Sequence, residues 1–134
     1  MKTTQQIASA RTPDGETLAL LEHDGEYSIQ VGRQELMTSR AHESELELAR
    51  LGCAQIRARP RPTVLVGGLG MGYTLRGALD ALPGGATVVV GELMPEIVEW
   101  NRRYFGALSG HPLKDRRVQV RLGDVHAELA RALI

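Results

Sequence analysis

Residues 64–72, Val-Leu-Val-Gly-Gly-Leu-Gly-Met-Gly, decide the fold of this chain. An apolar run passes directly into four glycines, and apolar residues at helical spacing follow at Leu75, Leu79 and Leu82. A run without polar interruption is typical of a parallel strand that is buried on both faces. Glycines at its carboxyl end allow a sharp turn and a close approach of the backbone to a ligand. The amino end of the next helix presents N–H groups at the same place, so the segment predicts a binding site.

The spacing of the glycines narrows the class of ligand. A dinucleotide fingerprint G-x-G-x-x-G that began at Gly68 or Gly70 would need glycine where the chain has Tyr73 or Leu75. No Lys-Ser/Thr pair follows the glycines, which excludes a P-loop. Two interpretations remain: a site for another nucleoside-containing small molecule, or a tight turn that binds nothing. We favour the site because four glycines exceed what a turn needs.

Carboxylates follow the next two predicted strands. Thr87–Gly91 is a second buried strand, and it leads to Glu92 about 20 residues after the glycines, where nucleotide folds carry a ribose-binding acid. The alternative role for Glu92 is a solvated loop acid or a charge at the amino end of the next helix. A third strand, 118–122, ends in Gly123-Asp124. Asp124 could accept a hydrogen bond from an adenine amino group, could cap the last helical segment, or could do both.

The predicted elements give an α/β fold in two parts. Residues 1–43 form a small antiparallel β meander, and no strand is predicted in the polar residues 1–16. Residues 44–134 form the first half of a Rossmann-like nucleoside-binding domain, because strands and helices alternate from Thr63 onward. Right-handed crossovers then place the parallel strands in the order 3-2-1. The predicted meander strands are 17–23, 27–31 and 34–38.

Two helices carry predictions about their ends and buried faces. The first, 44–57, begins with a capping box formed by Ser44 and Glu47 and buries Cys53. The second begins at Pro95, a residue that suits the first turn of a helix. Its predicted buried face consists of Ile97, Trp100, Tyr104 and Leu108.

The composition limits the class of protein. The chain has 16 basic and 16 acidic residues, and this zero net charge argues against a nucleic-acid binder. The 4 histidines lie in different elements without a cysteine or carboxylate at ligand spacing, so no metal site is predicted. No signal-peptide pattern and no apolar run of about 18 residues occurs, so we expect a cytoplasmic protein that does not enter a membrane.

The sequence also predicts an uncovered strand edge. The strand that precedes Gly67 is apolar throughout and belongs in the middle of a sheet, yet only the strand 87–91 is available to pair with it. An open apolar edge favours association with another strand. We therefore expect this edge to be covered by the remainder of a longer chain or by a second copy in a homo-oligomer.

With these residues the chain resembles the spermidine/spermine synthase family of aminopropyltransferases, within the S-adenosylmethionine-dependent methyltransferase fold. The segment 67–72 is similar to that family's loop for the aminopropyl or methionine part of the ligand. Glu92 matches its ribose-binding acid, and Gly123-Asp124 matches the segment beside the adenine. The candidate binding residues are Gly67, Gly68, Leu69, Gly70, Gly72, Glu92, Leu93, Gly123 and Asp124.

The resemblance implies a reaction as well as a fold. It implies transfer of an aminopropyl group from decarboxylated S-adenosylmethionine to an amine, with methylthioadenosine as the product. It places the family's general base beyond Ile134, so we assign no catalytic residue and leave enzyme status open. Ala41 precedes His42 where the family's pattern has Tyr, so the resemblance does not identify the amine acceptor. The alternatives are a methyltransferase-like protein that uses S-adenosylmethionine itself, and a non-catalytic nucleoside-binding or assembly module.

Overall fold

A computed structural model of the chain describes residues 3–123. The chain divides into two compact units, Met1–His42 and Glu43–Ile134. The predicted helical segment 126–134 and the predicted site residue Asp124 lie outside the described residues. No helix in the described range is long and apolar enough to cross a membrane.

The first unit is a four-stranded antiparallel meander. Its strands are β1 (Gln5–Arg11), β2 (Thr17–His23), β3 (Glu26–Val31) and β4 (Gln34–Thr38), in the order β1-β2-β3-β4. The predicted meander is therefore confirmed. The prediction that no strand precedes residue 17 is wrong, because β1 lies there. Strand β1 pairs with β2 from Gln5 opposite Glu22 to Arg11 opposite Thr17. Only Ala10 of β1 is buried, so backbone hydrogen bonds rather than an apolar pattern define this edge strand.

The second unit contains a three-stranded parallel sheet and the helices that connect its strands. Its elements are α1 (Glu43–Cys53), β5 (Thr63–Gly67), α2 (Tyr73–Ala81), β6 (Thr87–Glu92), α3 (Pro95–Trp100), a π-helical turn (Asn101–Phe105), α4 (Gly106–Ser109), a 3-10 turn (Pro112–Lys114) and β7 (Val118–Leu122). The sheet order is β5-β6-β7, with Val66 opposite Val90 and Val90 opposite Val120. This confirms the predicted 3-2-1 order. Among the described residues, β5 has a paired strand on one side only.

Helix α1 is shorter than predicted and begins differently. It ends at Cys53, and the turns that follow are held by bonds such as Ile56 N–H to Cys53 O. Glu43 begins the helix, so Ser44 lies inside the first turn and donates to Glu45 instead of forming a capping box. Glu47 forms an ion pair with Arg50. Cys53 is buried as predicted, and this burial raises the pKa of its thiol.

The π-helical turn changes which side chains enter the core. An extra residue in this turn rotates all later positions relative to a regular helix. Ile97 and Trp100 are buried as predicted, but Leu108 is 39% exposed, while Phe105 is fully buried. Tyr104 is half-buried. The predicted buried face is therefore wrong at Leu108.

Arg117, the residue before β7, joins that strand to the carboxyl end of α2. Its Nη1 donates to the carbonyls of Leu79, Leu82 and Pro83 at 3.0, 3.0 and 3.3 Å. Its other nitrogens bind the carboxylate of Asp115, and these hydrogen bonds lower the pKa of Asp115 to about 2. The guanidinium thus supplies a donor to carbonyls in and just beyond the last turn of α2, where a cation is favoured.

Candidate functional site

The loop between β5 and α2 has the backbone that the glycines predicted. Gly68, Gly70 and Gly72 have φ angles of 90°, 53° and 89°, which residues with a Cβ rarely adopt. The N–H of Gly72 donates to the carbonyl of Leu69 at 2.9 Å, closing a tight turn before α2. The side chains of Leu69 and Met71 are buried, so they anchor the loop in the protein. We call residues Gly67–Gly72 the glycine loop.

Glu92 ends β6 beside the glycine loop and is buried, with 8% of its surface exposed. Its Oε1 accepts the N–H of Leu69 at 2.9 Å, and its Oε2 accepts the N–H of Met94 at 3.0 Å. This burial excludes a solvated loop acid. Each carboxylate oxygen can accept a further hydrogen bond, so the group can hold the loop and still bind hydroxyls. The structural role of Glu92 in holding Leu69 is not visible in the sequence.

The carboxyl ends of the three parallel strands meet at this place. The N–H of Gly123, after β7, donates to the carbonyl of Glu92 at 2.8 Å. Leu93 is 50% exposed, so its side chain is available to a ligand. The structure thus brings together the predicted residues of the glycine loop, Glu92, Leu93 and Gly123. In open α/β sheets this edge is where ligands bind.

Asn101 contacts the glycine loop and was not among the predicted residues of the candidate site. Its side chain is buried, and its Nδ2 donates to the carbonyl of Gly70 and to that of Ile97, both at 2.8 Å. Its Oδ1 has no hydrogen-bond partner among the described residues. One signal was present: Asn101 follows Ile97 by four residues, so a polar side chain lies on the buried side of the helix.

A separate groove of about 540 Å³ lies along the second unit. It is lined by residues of α3, of β7 and of the π-helical turn, including Glu96, Glu99 and Arg102. None of the residues of the glycine loop and neither Glu92 nor Leu93 lines it.

The glycine loop, the acid at the end of β6 and the 3-2-1 parallel sheet define a fold of the methyltransferase-like class, in the form found in spermidine synthases. No protein-family model and no curated protein sequence matches the chain. Solved structures do match it. One is a spermidine synthase in complex with the transition-state analogue AdoDATO, and another is spermidine synthase from Thermotoga maritima. Each has a TM-score of 0.72 and 20% sequence identity, and each match covers 96% of this chain.

A third match is a probable spermidine synthase from Corynebacterium glutamicum ATCC 13032, with a TM-score of 0.62 and 17% identity over 92% of this chain. The predicted likeness in fold is thereby confirmed. The chain spans 43% to 46% of the length of these three solved proteins.

Proposed function

We propose that the site binds an adenosyl compound: S-adenosylmethionine, its decarboxylated form or methylthioadenosine. The observation that carries this proposal is the buried carboxylate of Glu92 beside the glycine loop, at the ends of neighbouring parallel strands. Both Glu92 oxygens keep acceptor capacity for the two hydroxyls of a ribose. The absence of side chains at Gly68 and Gly70 lets the remainder of the ligand lie against backbone. A structure of similar fold was solved with AdoDATO bound, which supports an adenosyl ligand.

The parent reaction that we propose is aminopropyl transfer to an amine. The positive sulfur of decarboxylated S-adenosylmethionine makes the adjacent carbon electrophilic. A neutral amine forms the new C–N bond there, the C–S bond breaks, its electron pair goes to sulfur, and methylthioadenosine leaves. The described residues of this chain would bind and orient the adenosyl compound. We assign none of them as the base that takes the proton from the amine.

Calorimetric titration with four compounds tests the proposal and separates its alternatives. The compounds are S-adenosylmethionine, its decarboxylated form, methylthioadenosine and NAD. Preference for the decarboxylated form would support aminopropyl transfer, and preference for S-adenosylmethionine would support a methyltransferase-like protein. If none of the adenosyl compounds binds, the proposal is refuted and a module without a nucleoside site becomes the better interpretation.

The variant Glu92→Gln tests the residue that carries the proposal. The carboxylate only accepts hydrogen bonds, whereas the amide of Gln has one oxygen and one NH₂ group. The NH₂ group must therefore face the N–H of Leu69 or Met94, and two donors cannot form a hydrogen bond. We expect methylthioadenosine affinity to fall about 10- to 100-fold, the scale of losing a charged hydrogen bond. Glu99→Gln is the matched control, because Glu99 is exposed on α3 and makes the same change of charge. Equal affinities of the two variants would remove Glu92 from the site.

A further inference from the structure

We propose that Asn101 is a positioning residue for the glycine loop: its carboxamide fixes the carbonyl of Gly70 and so holds the loop in its ligand-binding conformation. This inference rests on the proposed function, because it assigns a role within the same site. Asn101 lies 31 positions after Gly70 and is the single asparagine of the chain.

The hydrogen bonds of the Asn101 amide determine its orientation. Its two N–H bonds are directed at two carbonyls, one in the glycine loop at Gly70 and one in α3 at Ile97. A rotated amide would place Oδ1 against both carbonyl oxygens, which accept and cannot donate. The side chain therefore links the loop to the helix through its NH₂ group alone.

The oxygen of the same amide lies against Gly72. A Cβ built on Gly72 would be 2.9 Å from Asn101 Oδ1, so glycine at this position and asparagine at 101 fit together. Among the described residues this buried Oδ1 has no hydrogen-bond partner. Such an acceptor is costly to bury. A residue chosen for packing alone would be apolar, and this cost points to a role for the NH₂ group.

The helix is irregular where Asn101 begins the π-helical turn. The carbonyl of Asn101 accepts the N–H of Gly106, five residues later. Gly106 has no room for a side chain, since a Cβ there would lie 2.7 Å from His111 Nδ1 and 3.0 Å from Asn101 O. π-helical turns are frequent at functional sites. Here the turn starts at the residue that reaches the glycine loop.

Glu92 and Asn101 hold the loop from two sides. Glu92 binds the N–H of Leu69, and Asn101 binds the carbonyl of the next residue, Gly70. Removing the amide of Asn101 leaves the bond to Glu92 in place. We therefore expect a loosened loop and weaker binding of the ligand in a protein that still folds.

The first test compares Asn101→Ala with Ser109→Ala. Ser109 is also buried and its Oγ also lies beside Gly72, but its hydroxyl donates to the carbonyl of Phe105 and, among the described residues, to none of the glycine loop. The variant Ser109→Ala therefore controls for lost packing next to Gly72 without removing a hydrogen bond to the loop. Amide hydrogen exchange and titration with methylthioadenosine are measured on both. In Asn101→Ala we expect the Gly72 amide to exchange at least about 10-fold faster, with β6 unchanged, and affinity to fall about 10-fold. Ser109→Ala should change neither.

The variant Asn101→Asp gives a readout that a packing role would not produce. Its carboxylate would face the carbonyl oxygens of Gly70 and Ile97, whereas the protonated acid can donate one hydrogen bond to one of them. We expect its affinity for methylthioadenosine, relative to wild type at the same pH, to recover as pH falls from 8 to about 5. A ratio that does not change with pH would overturn the inference.

The remaining outcomes are also decisive. Unchanged exchange at Gly72 in Asn101→Ala overturns the inference, and so does faster exchange with unchanged affinity. If wild type itself binds no methylthioadenosine, the proposed function fails, while exchange at Gly72 still decides whether Asn101 holds the loop. If Asn101→Ala does not fold, nuclear magnetic resonance of wild type labelled with [¹⁵N]asparagine is used instead. The chain has one asparagine, so the spectrum shows a single side-chain NH₂ group, that of Asn101. Rapid exchange of that NH₂ with water would overturn the inference.

Discussion

Replacing Gly72 by alanine tests the geometry of the site most directly. Gly72 has a φ of 89°, and a residue with a Cβ in a left-handed conformation costs about 1–2 kcal/mol. The added Cβ would lie 2.9 Å from Asn101 Oδ1 and 3.1 Å from Ser109 Oγ, so buried groups must move. Overpacking of this kind costs about 1–3 kcal/mol. We therefore expect Gly72→Ala to lower the free energy of unfolding by about 2–5 kcal/mol.

Gly68 provides the matched control for this prediction. Its φ is 90°, the same strain for alanine, but within residues 3–123 no atom apart from its chain neighbours lies within 4 Å of a Cβ built there. Gly68→Ala should therefore cost only about 1–2 kcal/mol. Urea unfolding of the unliganded proteins, followed by circular dichroism, measures both values. If the two variants lose the same free energy, the close contact of Gly72 with Asn101 is absent, and the reasoning from that contact is refuted.

A double variant separates the two costs further. Combining Gly72→Ala with Asn101→Ala removes the oxygen that the new Cβ would meet. The loss of stability in the double variant should then be smaller than the sum of the two single losses. The pair Gly68→Ala and Asn101→Ala should be additive, because Gly68 has no contact with Asn101.

Two further predictions concern the core and the α2 end. Since the pKa of Asp115 is lowered from 3.8 to about 2 in the folded protein, its ion pair with Arg117 stabilises fully above pH 4 and is lost as pH falls toward 2. The ion pair contributes at most about 2 kcal/mol to the free energy of unfolding because it is partly exposed. The variant Asp115→Asn should lack this contribution and its loss in acid. An acid unfolding transition identical to that of wild type would contradict the prediction. Phe105→Ala should lower the free energy of unfolding by about 3–5 kcal/mol and Leu108→Ala by much less, because the π-helical turn buries Phe105 and leaves Leu108 partly exposed. Equal losses of stability in thermal unfolding would contradict the π-helical turn.

The sequence predicts the structure best where all the residues that define a feature lie close together along the chain. The apolar strand β5, the glycines after it and the acid at the end of β6 lie in one short stretch, and each has one main structural explanation. The antiparallel turns between β2, β3 and β4 are likewise local. These features determine the fold, and the structure agrees with it and places the candidate site residues of the described range together. The expectation that β5 is buried on both faces is not met among the described residues, where only Val66 of this strand is buried.

The missed features depend on contacts between distant residues or on the backbone alone. Strand β1 is held by backbone hydrogen bonds to β2. Such bonds form with almost any side chains, so the polar residues of β1 show no alternation of apolar and polar residues that would predict a strand. The π-helical turn adds one residue to a helix without a diagnostic residue type, and this reversed the burial of Phe105 and Leu108. Asn101 gains its role from a carbonyl 31 residues away. Such a partner becomes visible only when the chain is folded.

The hydrogen bonds of Glu92 have a consequence for how the proposed ligand would bind. The carboxylate already receives the N–H groups of Leu69 and Met94, so its desolvation and alignment belong to the free energy of folding. If the proposed adenosyl ligand binds here, its ribose adds hydrogen bonds to a preorganised acceptor and displaces none of the protein's own. Recognition at this edge of the sheet should therefore proceed by rigid docking, with little rearrangement of the backbone on association.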